Sequence, residues 1–370
     1  MHINLVLIPI VIILGLLLSG NDNNKNRRLY IVLCNIVLLF VAAMRSPEWM
    51  TSNYRIDTFL YEMEFKNITD NFSWNDLFRA IHQRYVLNVG DYDIGYVILQ
   101  KIISLITHEF STFSLIADLL FFIPFGVILY RYSTSIWQII FAYVFYIALI
   151  QVFLFGGGRQ NFAIGFDMMA FLAMADRKTW RSMIFLLLGV SIHFSSFLFL
   201  LPLLMIRFET SPRALKLLHL VCFLLFPIVL LFPNEIIVFM GESVGMEKYA
   251  KYGNREIQGG AAVFIILIEL LSLLCFLAIR RTDLKKNDNM RLLYVMTPFM
   301  TILAPLIHSN GTMIRISLYY HLFLTLLVPY SMDCLFKEES RRIAYFIAIG
   351  ALALLALQGG GMRYYFFWQV

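Results

Sequence analysis

The sequence predicts an all-α polytopic membrane protein, and two observations support this fold class. Sixty per cent of the 370 residues are apolar and only 15% are charged, with a mean hydropathy of +0.73. A soluble domain needs about a quarter of its residues charged to cover its surface. The apolar residues form long runs separated by short basic clusters. The composition excludes a soluble globular protein, a disordered protein and a nucleic-acid-binding protein.

The apolar runs define the predicted transmembrane helices. Ten runs have the length that crosses the hydrocarbon core of a bilayer. They lie at about 4–20, 29–45, 112–130, 135–155, 159–175, 214–232, 261–280, 292–308, 313–335 and 343–358. No basic segment precedes the first run and no small-residue cleavage site follows it, so we expect an uncleaved span. We expect residues 1–370 to form a single integral membrane domain.

The basic clusters predict the orientation of these spans, because Lys and Arg concentrate in cytoplasmic loops. With the cluster at 25–28 inside, 18 of the 30 basic residues fall on the cytoplasmic side. This requires the run 182–206 to enter and leave from that side. At about 1.5 Å per residue it is too short to cross twice, so we expect a re-entrant hairpin with His193 near its tip. The same count of crossings places 94–108 on the outer face, or dipping into it. If either stretch were an ordinary span, the predicted orientation of part of the chain would be reversed.

The polar residues concentrate on the predicted outer face. Residues 46–111 form a long outer loop with juxtamembrane helices, in which charged and aromatic residues recur. Residues 233–260 form a second outer loop that carries Lys, Tyr and Arg, and the C-terminal segment with Arg363 also lies outside. We therefore expect the functional site on this face.

Two arginines lie near the outer ends of predicted spans, where a charge is a functional candidate. Arg159 follows three glycines and opens a span together with Gln160. Arg315 lies about one turn into another span, and Tyr319 is four residues further on the same face. One interpretation is that the arginines extend to lipid headgroups. The other is that arginine and helix N-terminus together hold an anion such as a phosphate.

Two further groups are candidates for proton transfer. His193 lies among serines in an apolar run, and it either packs with a hydrogen bond or binds a sugar hydroxyl, binds a phosphate oxygen or acts as a general base. Arg55, Asp57 and Tyr61 lie within two helical turns of the first outer loop. One interpretation is that this segment is a solvated amphipathic helix. The other is that its carboxylate takes a proton from a sugar hydroxyl while the neighbouring aromatic rings stack on the sugar.

Motifs of several other chemistries are absent from the sequence. There is no Walker A motif, no GxGxxG, no HExxH and no GxSxG. The four cysteines lie in apolar stretches without CxxC spacing, which favours small buried side chains over a disulfide framework or a zinc site. We expect no cofactor, no metal and no nucleotide-driven pump.

The order of these elements resembles the EpsG family of bacterial polysaccharide polymerases, which overlaps many Wzy O-antigen and capsule polymerases. The matching elements run from about 50 to 320. They are Asp57-Thr58 with Tyr61, Gly95-Tyr96, Arg159-Gln160 with Ala163, His193 with Ser195, the KYAKYGNRE loop, and Arg315 with Tyr319. Asp93 stands where the family pattern leads us to expect a glutamate, and Ile56 stands where a glycine often precedes the aspartate.

The resemblance implies a membrane glycosyltransferase in the bacterial inner membrane, with its active site facing the periplasm. Its substrates would be oligosaccharides on undecaprenyl pyrophosphate, and a chain-length regulator and a flippase would be partners. A GT-C-like arrangement follows only by analogy. On this hypothesis we assign the pyrophosphate to Arg159, Arg315, Arg55 and Arg363, the general base to Asp57 or else His193, and the sugar path to Tyr61, Tyr96, Tyr319 and Gln160.

Two other functions stay open from the sequence. A transporter or flippase of lipid-linked oligosaccharides would share the spans, but it predicts ionisable groups that reach the cytoplasmic half of the membrane. An O-antigen ligase, or another transferase that uses polyprenyl-linked sugars, would share the outward-facing arginines and histidine. The sequence separates the ligase poorly from the polymerase.

Overall fold

The computed structural model describes residues 3–45, 58–87, 93–155, 158–243, 253, 261–282, 284 and 287–358, and their regular elements are all helical. The predicted all-α membrane fold is confirmed. The helices are α1 (Asn4–Ser19), α2 (Asn24–Ala43), α3 (Thr58–Asp70), α4 (Trp74–Tyr85), α5 (Ile94–Ser104), α6 (Phe110–Tyr132), α7 (Ile136–Phe145), α8 (Gln151–Phe155), α9 (Gly158–Ala175), α10 (Thr179–Ile192), α11 (Leu200–Arg207), α12 (Pro212–Leu231), α13 (Pro233–Ser243), α14 (Ala262–Arg281), α15 (Asp288–Tyr294), α16 (Thr297–Leu303), α17 (Ile314–His321), α18 (Leu324–Leu335) and α19 (Glu338–Gln358). A π-helical turn occupies Tyr146–Ile150, and 3-10 turns occupy Phe194–Phe199, Ala304–His308 and Gly311–Met313.

Eight of the ten predicted spans meet the length and hydropathy of a membrane-crossing helix in the described part of the chain, if one bent pair counts as a span. The bent pair is Gly311–His321 with Leu324–Leu335, at 57°. The other seven are Asn24–Ala43, Phe110–Tyr132, Ile136–Leu154, Pro212–Leu231, Ala262–Arg281, Asp288–His308 and Glu338–Leu357. The two remaining runs form α1, which has 16 residues, and α9, which has 18. The count of ten stays a prediction.

Cα packing divides the chain into two compact units, Met1–Leu200 with Ile349–Val370, and Leu201–Ala348. In the first unit, small residues bring helices close together. A Cβ at Gly126 of α6 would lie 2.5 Å from Asn35 Nδ2 of α2, and a Cβ at Gly165 of α9 would lie 2.3 Å from the Leu120 carbonyl oxygen of α6. These contacts pack α9 against α6, and α6 against α2.

The second unit is joined by a buried network of neutral polar side chains. His219 of α12 has its Nε2 2.8 Å from Ser272 Oγ of α14, and its Nδ1 shares a hydrogen bond with Tyr294 of α15. Ser272 Oγ lies 2.5 Å from Thr301 Oγ1 of α16. His219, Ser272 and Thr301 have no exposed surface. Four helices are thus linked by groups that satisfy one another inside an apolar environment.

The segment 182–206 is interrupted at His193. Helix α10 ends there, and His193 has an extended backbone with φ −149° and ψ 109°. A Cβ at Gly189 would lie 2.6 Å from Ser196 Oγ. Seven residues of straight α-helix would separate these positions by about 10 Å along the axis, so the chain turns back after His193. The re-entrant hairpin, and the side of the membrane from which it would enter, stay predictions.

Candidate functional site

The centre of the candidate site is an ion pair between the first turns of two helices in the first unit. Arg159 lies in the first turn of α9, and Asp93 directly precedes α5. Arg159 Nη1 donates to Asp93 Oδ2 over 2.9 Å, and each side chain is 27% exposed. The pair therefore orients the guanidinium while both groups remain accessible from outside the protein.

Two tyrosine rings flank the same guanidinium. The Arg159 Cζ lies 5.2 Å from the ring centre of Tyr61 in α3 and 5.6 Å from that of Tyr96 in α5, within the range of cation–π attraction. The two rings meet edge to face with centres 5.9 Å apart. A Cβ at Gly158 would lie 3.1 Å from the Tyr61 ring, so a small residue there lets α9 begin against α3. Helices α3 and α5 therefore hold the Arg159 side chain at the start of α9.

An aromatic core supports the tyrosines. Phe65 of α3 stacks on Phe113 of α6 with ring centres 4.6 Å apart, and Phe113 contacts Phe162 of α9 at 5.6 Å. Tyr96 lies 6.3 Å from Phe162 and has no exposed surface. Burial raises the pKa of the Tyr96 hydroxyl well above its usual range, so the ring beside Arg159 stays neutral.

The turn that carries His193 lies beside the start of α5. A Cβ at Gly95 would lie 2.1 Å from Ser191 Oγ near the end of α10, which places these helix ends in contact. His193 Nδ1 lies 2.5 Å from Ser195 Oγ. The end of α10 and the Arg159–Asp93 pair therefore both lie at the start of α5, since Asp93 and Gly95 flank its first residue.

The other predicted residues fall into three groups. Gln160 is 2% exposed in the first turn of α9, and Tyr61 is 5% exposed, so both lie within the packed part of the first unit. Arg315 and Tyr319 lie on α17 of the second unit, where Tyr319 is buried. Arg55, Asp57 and Arg363 lie outside the described residues. The assigned roles in binding and proton transfer stay predictions.

Sequence reasoning missed two features of this site. It singled out Arg159 and noted Asp93 without pairing them, because the two residues are 66 positions apart. It also passed over Asp167, which is 1% exposed in α9 and accepts a hydrogen bond from Ser196. An aspartate inside an apolar run was the signal that could have identified it. Among the described residues, no three His, Cys, Asp or Glu side chains lie close enough to hold a metal ion.

A family model decides the relationship of the chain to known proteins. The EpsG family model matches residues 31–357, which is most of the chain. The chain belongs to the EpsG family. Members of the EpsG family are Wzy-type polysaccharide-polymerase-like proteins, and this protein is accordingly a polysaccharide-polymerase-like membrane protein with several transmembrane helices. No curated protein and no solved structure gives a significant match.

Proposed function

We propose that this EpsG-family protein is a membrane glycosyltransferase that polymerises lipid-linked oligosaccharides. It transfers a growing glycan from undecaprenyl pyrophosphate to the non-reducing end of the next lipid-linked repeat unit, at the outer face of the bacterial inner membrane. The observation that carries this proposal is the fixed position of Arg159, at the start of α9, against Asp93 and two tyrosines. A chain-length regulator and a flippase would act with it.

The proposed reaction exchanges one bond at the anomeric carbon of the donor. A hydroxyl oxygen of the acceptor repeat forms the new glycosidic bond, and the bond from the anomeric carbon to pyrophosphate breaks. The leaving pyrophosphate takes the electron pair, and the hydroxyl proton goes to a general base. Asp57 is the first candidate for this base and His193 is the second.

Arg159 would stabilise the negative charge that develops on the leaving pyrophosphate. The helix N-terminus contributes backbone N–H groups and a partial positive charge at the same place. Asp93 accepts from Nη1, and Tyr61 also makes a side-chain hydrogen bond with the guanidinium. Since a guanidinium carries five N–H donors in all, donors beyond these two contacts can bind phosphate oxygens. Preorganised donors of this kind typically contribute about 3 kcal/mol to a transition state.

Arg131 provides a matched control for Arg159. Arg131 Nη1 also pairs with an aspartate, Asp176 Oδ1 at 2.5 Å, and its Cζ lies 5.5 Å from the ring centre of Tyr132. The two arginines therefore share an acidic partner and an aromatic neighbour, but Arg131 lies at the end of α6, in a loop that we predict to be cytoplasmic. Its replacement removes a similar set of contacts away from the proposed site.

The test is polymerisation by the purified protein. A lipid-linked repeat unit from the native host is added in detergent, and the products are separated as a gel ladder. We expect a ladder from the wild type and from Arg131→Ala, and a rate about 100-fold lower in Arg159→Ala. A ladder retained in Asp57→Asn and lost in His193→Ala would assign the base to His193. Absence of a ladder, with transfer of the saccharide to lipid A core instead, would replace the polymerase by a ligase.

A further inference from the structure

Asp167 is a buried carboxyl group that the proposed reaction does not use. It lies in α9 about 12 Å along the helix from Arg159, and 1% of its surface is exposed. Ser196 Oγ lies 2.6 Å from Asp167 Oδ1 and 2.7 Å from Oδ2, so the serine hydroxyl donates to the carboxylate. An acidic group inside a predicted transmembrane helix is costly and needs a compensating role.

Ser196 belongs to the turn that follows α10, and its backbone holds His193. The Ser196 N–H donates to the His193 carbonyl oxygen over 3.0 Å, and the His193 N–H donates to the Gly189 carbonyl oxygen over 2.9 Å. The imidazole Nδ1 is held by Ser195 Oγ. A continuous set of hydrogen bonds therefore leads from Asp167 through Ser196 to the His193 peptide.

The space around this contact admits only a small residue in α10. A Cβ at Gly189 would lie 2.6 Å from Ser196 Oγ and 2.9 Å from Asp167 Oδ1. Ser196 and Ser195 have no exposed surface. Gly189 lets the segment after His193 approach α9 closely enough for the Ser196 hydroxyl to reach the Asp167 carboxyl group. The contact therefore depends on Gly189 in α10 as well as on Asp167 in α9.

We propose that Asp167 is a positioning residue, which fixes the turn carrying His193 through the hydroxyl of Ser196. This holds His193 beside the first turn of α5, where Gly95 contacts Ser191 and Asp93 pairs with Arg159. The consequence for catalysis rests on the proposed function with His193, its second candidate, as the general base. The placement of the turn itself does not depend on that function.

The first experiment measures the turn without measuring polymerisation. Purified protein is treated with diethyl pyrocarbonate, and modification of each histidine is followed by mass spectrometry. We expect His193 to react about tenfold faster in Ser196→Ala and Asp167→Ala, because the buried hydrogen bond that holds the turn is lost. Asp167→Asn keeps an acceptor for the serine hydroxyl and should react as the wild type does. His108, which is exposed, serves as the internal reference.

The matched control is Ser182→Ala. Ser182 of α10 is, like Ser196, a fully buried serine that bonds to α9; its Oγ donates to the Ala170 carbonyl oxygen over 2.8 Å. This replacement removes a hydrogen bond to α9 away from the turn, so the reactivity of His193 should not change. Unchanged reactivity of His193 in both Ser196→Ala and Asp167→Ala would overturn the proposal, and so would an equal increase in Ser182→Ala.

The second experiment asks whether Asp167 acts through His193 in transfer. We expect Ser196→Ala and Asp167→Ala to lower kcat about tenfold with little change in KM. In a His193→Ala background the same replacements should cause no further loss, because the group that they position is absent. A further tenfold loss in that background would overturn the role through His193. If the wild type makes no polymer while His193 still becomes reactive in the two variants, the proposed function fails and the placement of the turn stands.

Discussion

Two polar clusters lie among the apolar helices of this protein, and they differ in charge, in their position along the helices and in exposure. Arg159 and Asp93 are charged, lie at the starts of helices, and are each about a quarter exposed. His219, Ser272 and Thr301 lie within helices and have no exposed surface. A charged pair at helix starts keeps donors within reach of a ligand, whereas an enclosed network has only protein partners. We infer that the first cluster serves the substrate and the second serves helix packing.

The largest effect on stability should come from His219→Ala. The replacement removes hydrogen bonds to Ser272 and Tyr294 and leaves a cavity beside Phe223, whose ring stacks on the imidazole at 4.7 Å. We expect the free energy of unfolding to fall by about 3 kcal/mol, measured as a lower melting temperature in detergent. Replacement of the exposed His108 is the control. A fall in activity per folded molecule, with no change in melting temperature, would contradict the assignment of this cluster to packing.

Asp93→Asn should reduce polymerisation about tenfold, since the guanidinium loses its charged partner but keeps its aromatic neighbours. Because the ion pair is partly exposed, its loss should change the free energy of unfolding by less than about 1 kcal/mol. The measurement is the rate of chain extension beside the melting temperature. Asp176→Asn, which removes the partner of Arg131, is the matched control. If Asp93→Asn abolished the reaction as completely as Arg159→Ala, Asp93 would itself take part in the chemistry.

The contrast between these clusters also shows what the sequence can predict. Length, hydropathy and basic clusters predicted the all-α membrane fold, and a helix does begin at Gly158, next to Arg159. Partners could not be predicted in the same way. Arg159 and Asp93 come from different helices, and so do His219 and Ser272, 53 residues apart. No spacing rule links such residues, because packing of distant helices sets their distance.

Thr301→Val should have a smaller effect than the loss of His219. Thr301 Oγ1 lies 2.5 Å from Ser272 Oγ and 3.3 Å from His219 Nε2, and valine keeps the shape of the side chain while it removes the hydroxyl. We expect a loss of about 1 kcal/mol in the free energy of unfolding, as hydrogen bonds between transmembrane helices typically contribute. Thr325→Val is the control, because that hydroxyl bonds to the Leu322 carbonyl oxygen close by in the chain. Equal losses of unfolding free energy in both variants would mean that the hydrogen bonds between helices stabilise the protein no more than a hydrogen bond within one segment does.

The smallest expected effect on the rate of chain extension comes from Tyr61, where two variants distinguish the contribution of the ring from that of the hydroxyl. Tyr61→Phe keeps an aromatic face 5.2 Å from the Arg159 guanidinium, whereas Tyr61→Leu removes it. If cation–π attraction holds the guanidinium, Tyr61→Leu should lower the rate of chain extension about threefold and Tyr61→Phe should leave it nearly unchanged. Equal losses in both variants would instead assign the contribution to the hydroxyl, as a donor to substrate or an acceptor from Arg159. Since Tyr61 is 5% exposed, a ring that orients Arg159 is the arrangement that the packing of α3 against α9 favours.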